Sequence, residues 1–173
     1  MLSDEVIRLA PLTAAHEPAV TELVHDEAVV AFTRFPTEPS PTFVREWIDA
    51  YERGLRDGSR AAFAIESLDG EFLGVGLFPR IERKGRQAEI GYVIAPGARG
   101  RGVATRTLRL LTDWGFAELG LERVELVIDR ANTISERVAA RAGYVREGVL
   151  RSCWVKEDIR ADLGIWSRLR TDP

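Results

Sequence analysis

The sequence predicts a single α/β domain, residues 1–173, built on one mixed sheet in which most neighbouring strands are antiparallel. The length of 173 residues fits one domain with a sizeable core. Three successive apolar segments joined by short turns, between residues 60 and 95, indicate an antiparallel meander. A strand, a helix and another strand follow, and this order favours a right-handed crossover that makes the two strands parallel.

The first sixty residues are predicted to form one strand and two helices. The segment VIRLAPL (6–12) alternates as a half-buried strand does. From residue 13 to about residue 31 the apolar spacing is helical, and the prolines within residues 36–41 end that pattern because proline cannot continue a helix. Apolar side chains then recur at helical spacing over residues 43–51, in a second helix that ends near residues 54–58.

The middle of the chain is predicted to form three antiparallel strands. RAAFAIES (60–67) and EFLGVGLFPRI (71–81) flank Asp69-Gly70, and this dipeptide between apolar runs is a strong hairpin signal. RQAEIGYVIA (86–95) is the third strand of the meander. The short connections leave no room for a crossover, so consecutive strands must run in opposite directions.

The rest of the chain is predicted to alternate helices and strands. Val103, Thr107, Leu110, Leu111 and Trp114 recur at helical spacing, and Gly143 is a plausible helix stop. The predicted helices span about 103–120 and 133–142, and the predicted strands span 123–129, 144–155 and 159–169.

The composition argues against several classes of function. The net charge of -3 and the pI of about 5.5 leave no overall positive field for a nucleic-acid partner. With two histidines and one cysteine, no metal site of the usual kind is expected. The longest run without a charged residue, 90–98, is too short to cross a membrane, and the first residues do not resemble a secretory signal. We therefore expect a cytoplasmic monomer or homodimer that binds neither nucleic acid nor membrane.

The segment APGARGRGVATRTL (95–108) places three glycines and two arginines just before a helix. The first turn of a helix presents N–H groups without intrahelical partners and the positive end of the helix dipole. Glycine lets a ligand approach the main chain, and Arg99 and Arg101 add donors that suit phosphate oxygens. The residues alone leave open a pyrophosphate site or merely a tight surface turn. The segment lacks the Gly-Lys-Ser/Thr of a Walker A loop, and Thr105 stands where a dinucleotide motif has its third glycine.

The spacing Arg99-x-x-Gly102-x-Ala104 resembles the Gln/Arg-x-x-Gly-x-Gly/Ala signature of the GNAT superfamily of N-acetyltransferases. The segment ANTISERVAARAGYVREG (131–148) is similar to the Asn-x-x-Ser…Gly-Tyr/Phe motif of the ribosomal-protein acetyltransferase branch. The resemblance covers residues 6–169, and the predicted order β-α-α-β-β-β-α-β-α-β-β is that of the GNAT fold. It implies an enzyme that transfers the acetyl group of acetyl-CoA to a primary amine of a protein N-terminus or a small molecule.

The resemblance also implies roles for individual residues. Glu89 matches the position at which several family members hold a general base, acting through water or with a raised pKa. The main chain of Val93 and Ile94 would bind the pantetheine arm, since this strand splays from the next one in the family. Asn132 would bind the cofactor, and Ser135 would hydrogen-bond the sulfur or protonate the leaving thiolate. The loop would wrap the pyrophosphate of coenzyme A through Arg99, Gly100, Arg101, Gly102, Val103, Ala104 and Thr105.

Each of these positions also has a purely structural interpretation. Glu89 would be a solvent-facing acid on a strand, and Val93 and Ile94 would be ordinary core residues. Asn132 would only turn the chain, just outside a helix that begins with a capping box, with Thr133 at the cap and a glutamate three residues later.

Ala139 departs from the family pattern, because many superfamily members carry a tyrosine there as the general acid. Tyr144 fits a core position, and Cys153 is predicted to be a buried apolar residue. A non-catalytic acyl-CoA-binding module on the same fold stays open, as does a nucleotide-dependent oxidoreductase that uses the same turn. The first two helices would border the acceptor site, where an acidic rim could be formed by Glu22, Asp26, Glu27 and Glu38.

Overall fold

The computed structural model describes residues 2–173, which form one eight-stranded sheet with helices on both faces. Two short 3-10 turns lie at Ala14–His16 and Pro96–Ala98. The helices are α1 (Glu17–Val24), α2 (Glu27–Phe32), α3 (Phe43–Asp57), α4 (Val103–Ala117) and α5 (Thr133–Arg141). The strands are β1 (Leu2–Ser3), β2 (Ile7–Pro11), β3 (Ala61–Ser67), β4 (Phe72–Glu82), β5 (Gln87–Ile94), β6 (Arg123–Asp129), β7 (Val145–Lys156) and β8 (Ile159–Leu169).

The strand order across the sheet is β1-β2-β3-β4-β5-β6-β8-β7. The pair β5 and β6 is parallel and is connected through α4, whereas the other neighbouring pairs are antiparallel. This arrangement confirms the predicted mixed α/β class with one parallel pair. Within residues 2–173 the one parallel pair thus includes β5, the strand from whose end the predicted glycine-arginine turn leaves the sheet.

Two apolar cores lie on opposite faces of the sheet. In β3, Phe63 and Ile65 face the core beneath α4 and α5, whereas Ala62 and Ala64 face the core beneath α1, α2 and α3. This alternation follows from the two-residue period of a strand. Leu111 of α4 is fully buried, and burying such a side chain contributes about 1.5–3 kcal/mol. The sheet therefore separates two helical layers.

The single helix predicted over residues 13–31 is wrong. The chain instead forms a 3-10 turn, then α1, and then a separate helix α2 after a break at His25 and Asp26. The Asp26 carboxylate accepts a hydrogen bond from the Val29 N–H at 2.9 Å and caps α2. Aspartate is a strong N-cap residue, so this local bond starts a new helix although the apolar spacing continues through it.

The cap predicted for α5 is also wrong by one residue. Asn132, rather than Thr133, is the N-cap, and its Oδ1 accepts a hydrogen bond from the Ser135 N–H at 3.0 Å. Glu136 does not complete a capping box, because its carboxylate pairs with Arg130 at 3.0 Å. Asparagine competes well with threonine for the cap position, which explains the shift.

Cys153 is exposed, so its predicted burial is wrong. It lies in β7, the edge strand of the sheet, in which residues 145–153 are all exposed. An edge strand has a neighbour on one side only, so its residues can remain at the surface. Cys153 is therefore exposed although cysteine is commonly buried.

Within the part of the chain that the structure describes, none of the helices is long and apolar enough to cross a membrane. Residues 2–173 likewise contain no group of three or more histidine, cysteine, aspartate or glutamate side chains placed to hold a metal ion.

Candidate active site

The parallel strands β5 and β6 pair only over their first three residues. The pairing runs from Gln87 with Arg123 to Glu89 with Glu125 and then stops. Beyond that point β5 continues alongside β4, and β6 continues alongside β8. The register between β4 and β5 also shifts between Leu77 and Arg80. The two strands therefore open into a V, which is the splaying that the family resemblance implies.

A cavity of about 640 Å³ occupies this opening and reaches both faces of the sheet. On the α4 and α5 side it is lined by the loop before α4, by Asn132 and by Ser135. On the opposite side it is lined by aromatic residues of α3 and by the segment after α2. Two molecules that enter from opposite faces would thus meet between β5 and β6.

The loop before α4 presents a row of main-chain N–H groups to this cavity. Gly100 and Gly102 have φ of +76° and +78°, a left-handed conformation that glycine adopts without strain. The N–H groups of residues 100–105 make no hydrogen bond within residues 2–173. A Cβ placed on Gly100 or Gly102 would meet no protein atom within 4 Å. The loop is therefore an open cradle of donors at the positive end of the α4 dipole.

The two arginines of this loop differ in their surroundings. Arg99 donates from Nε to the Ile94 carbonyl oxygen at 3.2 Å and from its guanidinium to the Asp26 carboxylate at 2.6 Å. This guanidinium holds the pKa of Asp26 below its usual value. Arg101 is exposed and lies 3.8 Å from Glu71, a weak surface contact. Arg99 therefore connects the cradle to α2, whereas Arg101 is free to turn toward a ligand.

The main chain at the end of β5 faces two directions. The Ala95 N–H donates to the Leu73 carbonyl oxygen at 2.9 Å, so Ala95 directs its main-chain groups toward β4. In an antiparallel pair every second residue does so, and Val93 therefore also directs its main-chain groups toward β4. Tyr92 and Ile94 direct their main-chain groups toward the opening. Of the two residues predicted to bind the pantetheine arm, Ile94 has the suitable orientation. Val93 lines the cavity, but its side chain is 7% exposed and belongs to the core.

Glu89 lies at the apex of the V, and its side chain is on the face covered by α3. It lines the cavity and is partly buried. Burial raises the pKa of the Glu89 carboxyl above its ordinary value, and nearby Arg34 and Arg80 partly offset this effect. The charge of Glu89 in turn contributes to raising the pKa of buried Tyr51, although burial is the main cause. A carboxylate with a raised pKa in a cavity has the properties of a general base.

Ser135 and Tyr92 meet on the other face of the sheet. The Ser135 Oγ and the Tyr92 hydroxyl oxygen are 2.8 Å apart, and both residues line the cavity. Burial raises the pKa of Tyr92 to about 12. Asn132 lies next to them, and its side-chain nitrogen makes no hydrogen bond within residues 2–173. The structure thus brings the predicted Asn132 and Ser135 together with Tyr92, which is not among the site residues that the sequence predicts.

The strand parity of β5 is the signal that identifies Tyr92. It places Tyr92 on the face opposite Glu89, toward the helix that carries Ser135. Ala139, where many family members hold a tyrosine, is fully buried and does not line the cavity. Tyr144 is 4% exposed and its hydroxyl lies 2.5 Å from Thr112 Oγ1, so its predicted core position is confirmed. The tyrosine hydroxyl that forms a hydrogen bond with the predicted Ser135 is that of Tyr92.

The acetyltransferase (GNAT) domain family matches residues 7–145 of this sequence. The chain belongs to this family. It is 31% identical over 150 residues to the spermidine N(1)-acetyltransferase of Escherichia coli, an alignment that covers 87% of this chain and 78% of the relative. It is also 31% identical over 102 residues to the ribosomal-protein-serine acetyltransferase of Escherichia coli, with 58% and 56% covered.

Two solved structures of acetyltransferases share the fold. One is the spermidine N-acetyltransferase from Vibrio cholerae in complex with CoA and spermine, with a TM-score of 0.85, 20% identity and 96% of each chain covered. The other is RimL, a ribosomal-protein α-N-acetyltransferase in complex with coenzyme A, with a TM-score of 0.86, 21% identity, and 96% and 95% covered. The protein is therefore an N-acetyltransferase of the GNAT family, and its glycine-arginine turn belongs to that fold rather than to an oxidoreductase.

Proposed function

We propose that this N-acetyltransferase uses acetyl-CoA as the donor and acetylates the primary amine of a protein N-terminus or a small molecule. The observation that carries the proposal is the cradle of free N–H groups at residues 100–105, beside a cavity that crosses the sheet. When bound, acetyl-CoA supplies an activated acetyl group whose transfer to the amine leaves a free thiol.

The residues of the cradle fit a pyrophosphate. Successive N–H groups around left-handed glycines form concave anion sites, and the helix dipole favours negative charge at this end. The open space above Gly100 and Gly102 lets phosphate oxygens reach these donors. Arg101 is the side chain available to add a charged donor, and Arg99 holds the loop against β5. The cradle therefore supplies neutral main-chain donors in place of a large positive patch.

The pantetheine arm would lie in the V between β5 and β6. Ile94 directs main-chain groups toward this opening, and the free amide nitrogen of Asn132 supplies a donor on the α5 side. A carbonyl that develops negative charge in the opening would accept hydrogen bonds from such fixed N–H donors. A thioester held in this position would face the acceptor half of the cavity, which Glu89 lines.

Glu89 would remove the proton from the acceptor amine. A protonated amine has no free electron pair, so it cannot attack until it loses a proton. Glu89 faces the half of the cavity that opposes the cofactor cradle, and its raised pKa brings it closer to neutral pH. A water molecule between the carboxylate and the amine would extend its reach.

Ser135 and Tyr92 would stabilise the sulfur as negative charge develops on it. The Tyr92 hydroxyl keeps its proton at neutral pH because its pKa is about 12, so it remains a donor through the pair. A hydroxyl pair that is already hydrogen-bonded needs little reorganisation when the charge appears. The pair thus offers the hydroxyl donor that Ala139 cannot provide.

The proposal predicts that the protein binds acetyl-CoA with a dissociation constant of about the micromolar range or tighter. Isothermal titration calorimetry with acetyl-CoA measures this directly, and thiol release in the presence of amines tests turnover. Absence of binding at millimolar acetyl-CoA would disprove the proposal. Binding without thiol release from any amine would instead support the non-catalytic acyl-CoA-binding alternative.

Tyr92→Phe is expected to lower kcat by about 10²-fold, because a hydroxyl that acts at the reacting sulfur is lost. The affinity for acetyl-CoA should be nearly unchanged, since the cradle at residues 100–105 is untouched. If Tyr92 and Ser135 act as a unit, the double variant Tyr92→Phe with Ser135→Ala should have nearly the same kcat as Tyr92→Phe alone. Stopped-flow measurement of thiol release gives these rates.

Tyr144→Phe is the matched control for this substitution. It removes a buried tyrosine hydroxyl that also contacts a hydroxyl, that of Thr112, but it does so away from the cavity. This variant should lose stability and keep its kcat. Equal losses of kcat in Tyr92→Phe and Tyr144→Phe would contradict a direct role for Tyr92.

A further inference from the structure

The acceptor half of the cavity has a continuous aromatic wall. The ring centroids of Phe35 and Trp47 are 5.5 Å apart, and those of Trp47 and Tyr51 are 4.7 Å apart. Phe43 contacts Phe35 edge-on at 5.9 Å, and Trp154 lines the cavity across from this row. These side chains offer a large apolar surface in the geometries that aromatic rings prefer.

Carboxylates are scarce along this cavity. Within residues 2–173, Glu89 and Asp129 are the only acidic residues that line it. Asp129 ends β6 near the cofactor half, and its Oδ1 accepts a hydrogen bond from the Ala131 N–H at 2.8 Å. Three members of the predicted acidic rim, Glu22, Asp26 and Glu27, do not line this cavity, whereas Glu38 lines an adjoining hollow that shares Arg34, Phe35 and Trp154 with it.

Asp26, the nearest of those acids to the cradle, is already engaged by Arg99 at 2.6 Å. Within the cavity itself, an acceptor with several ammonium groups would find one carboxylate, Glu89, in the acceptor half. Each further positive charge would have to lose its hydration without a paired group, which is unfavourable. The site thus suits an acceptor with a single amine.

Arg34 supplies a positive group beside Glu89. Its guanidinium lies over the Trp154 ring, 5.4 Å from the centroid, and it makes no ion pair or hydrogen bond within residues 2–173. Arg34 and Glu89 both line the cavity, and the positive charge of Arg34 lowers the pKa of the Glu89 carboxyl, in part offsetting the effect of burial. A guanidinium held on an aromatic face with its donors free is suited to bind a carboxylate.

We propose that the acceptor is a compact primary amine that carries an aromatic group and a carboxylate, the chemistry of an aromatic amino acid. The amine lies at Glu89, the ring packs on the wall of Trp47 and Tyr51, and Arg34 binds the carboxylate. This inference rests on the acetyltransferase function proposed above and adds the substrate class. It distinguishes this site from one that selects a polyamine.

The experiment compares three acceptors in the thiol-release assay: phenylalanine, phenethylamine and spermidine. Phenethylamine has the ring and the amine of phenylalanine without the carboxylate, so the ratio of their kcat/KM values reports recognition of that group. We expect phenylalanine to exceed phenethylamine by about 10- to 100-fold, the range for a hydrogen bond between charged groups. Spermidine should be the poorest acceptor of the three.

Arg34→Gln is expected to lower kcat/KM for phenylalanine to about that for phenethylamine, mainly through KM. Phenethylamine serves as the internal reference, because a change in stability or in the pKa of Glu89 would affect the reaction of both acceptors. Arg60→Gln is the matched control, because Arg60 also stacks on the aromatic wall, 5.6 Å over Tyr51, but does not line the cavity. It should leave the ratio between the two acceptors unchanged.

Two results would overturn the inference while leaving the proposed function intact. One is a higher kcat/KM for spermidine than for phenylalanine. The other is a ratio between phenylalanine and phenethylamine that is the same in Arg34→Gln and in the parent. If acetyl-CoA does not bind, the proposed function itself fails, and the substrate class fails with it.

Discussion

Glu89→Gln is expected to lower kcat/KM for the amine by about 10²- to 10⁴-fold, the usual contribution of a general base. Glutamine keeps the shape and hydrogen-bonding ability of the side chain but cannot accept the proton. The parent protein should lose activity as the pH falls through the raised pKa of Glu89, because the protonated carboxyl is no longer a base. That acidic limb of the pH–rate profile should be absent in the variant.

Glu125→Gln is the matched control for this experiment. Glu125 lies opposite Glu89 in the β5–β6 pair, but it bonds to Arg80 at 2.9 Å and does not line the cavity. Its negative charge contributes to raising the pKa of Glu89, so its loss should move the acidic limb to lower pH and preserve the rate. An unchanged rate in Glu89→Gln would rule out the proposed base.

Glu89→Gln is expected to stabilise the folded protein at neutral pH, although it lowers the activity. The pKa of Glu89 is higher in the folded protein than its ordinary value of 4.5, so the unfolded chain loses this proton at lower pH than the folded one. Stability therefore decreases as the pH rises from 4.5 through the folded pKa. Glu89→Gln should raise the melting temperature at pH 7 and change it little below about pH 4. Thermal unfolding at both values tests this sign.

Gly102→Val is expected to weaken acetyl-CoA binding by at least about 10-fold, which corresponds to about 1.4 kcal/mol. At φ of +78° a β-branched residue is strained, and relief of that strain would turn the N–H groups of the cradle away from the phosphates. The Cβ of the new side chain meets no protein atom within 4 Å apart from its chain neighbours, so the substitution creates no close contact at this atom. The protein should therefore still fold, and calorimetry measures the change in affinity.

Gly97→Val separates the effect of the conformation from that of the added side chain. Gly97 also has open space at its Cβ, but it lies in the 3-10 turn before the cradle, does not line the cavity and has no positive φ. It should keep the parental affinity for acetyl-CoA. Equal dissociation constants for Gly97→Val and Gly102→Val would contradict the assignment of the cradle.

Local signals in the sequence predicted much of the fold. The spacing from Val103 onward placed the start of α4, and Asp69-Gly70 placed the hairpin between β3 and β4. The errors arose where two local signals competed. The apolar spacing through residues 13–31 concealed the cap at Asp26, and a threonine concealed the cap at Asn132. In both cases a side-chain bond to the main chain decided where the helix begins.

From β3 onward the sequence by itself determined the order of the elements, the parallel pair and the position of the glycine-arginine turn, because these depend on periodicity, on the crossover rule and on glycines close together in the chain. Only the tertiary structure decided which side chains meet. Tyr92 and Ser135 are 43 residues apart, Arg99 and Asp26 are 73 apart, and Arg34 reaches Trp154 from the other end of the chain. Such contacts depend on how the helices pack against the sheet, and no local sequence pattern specifies which residues far apart in the chain will meet.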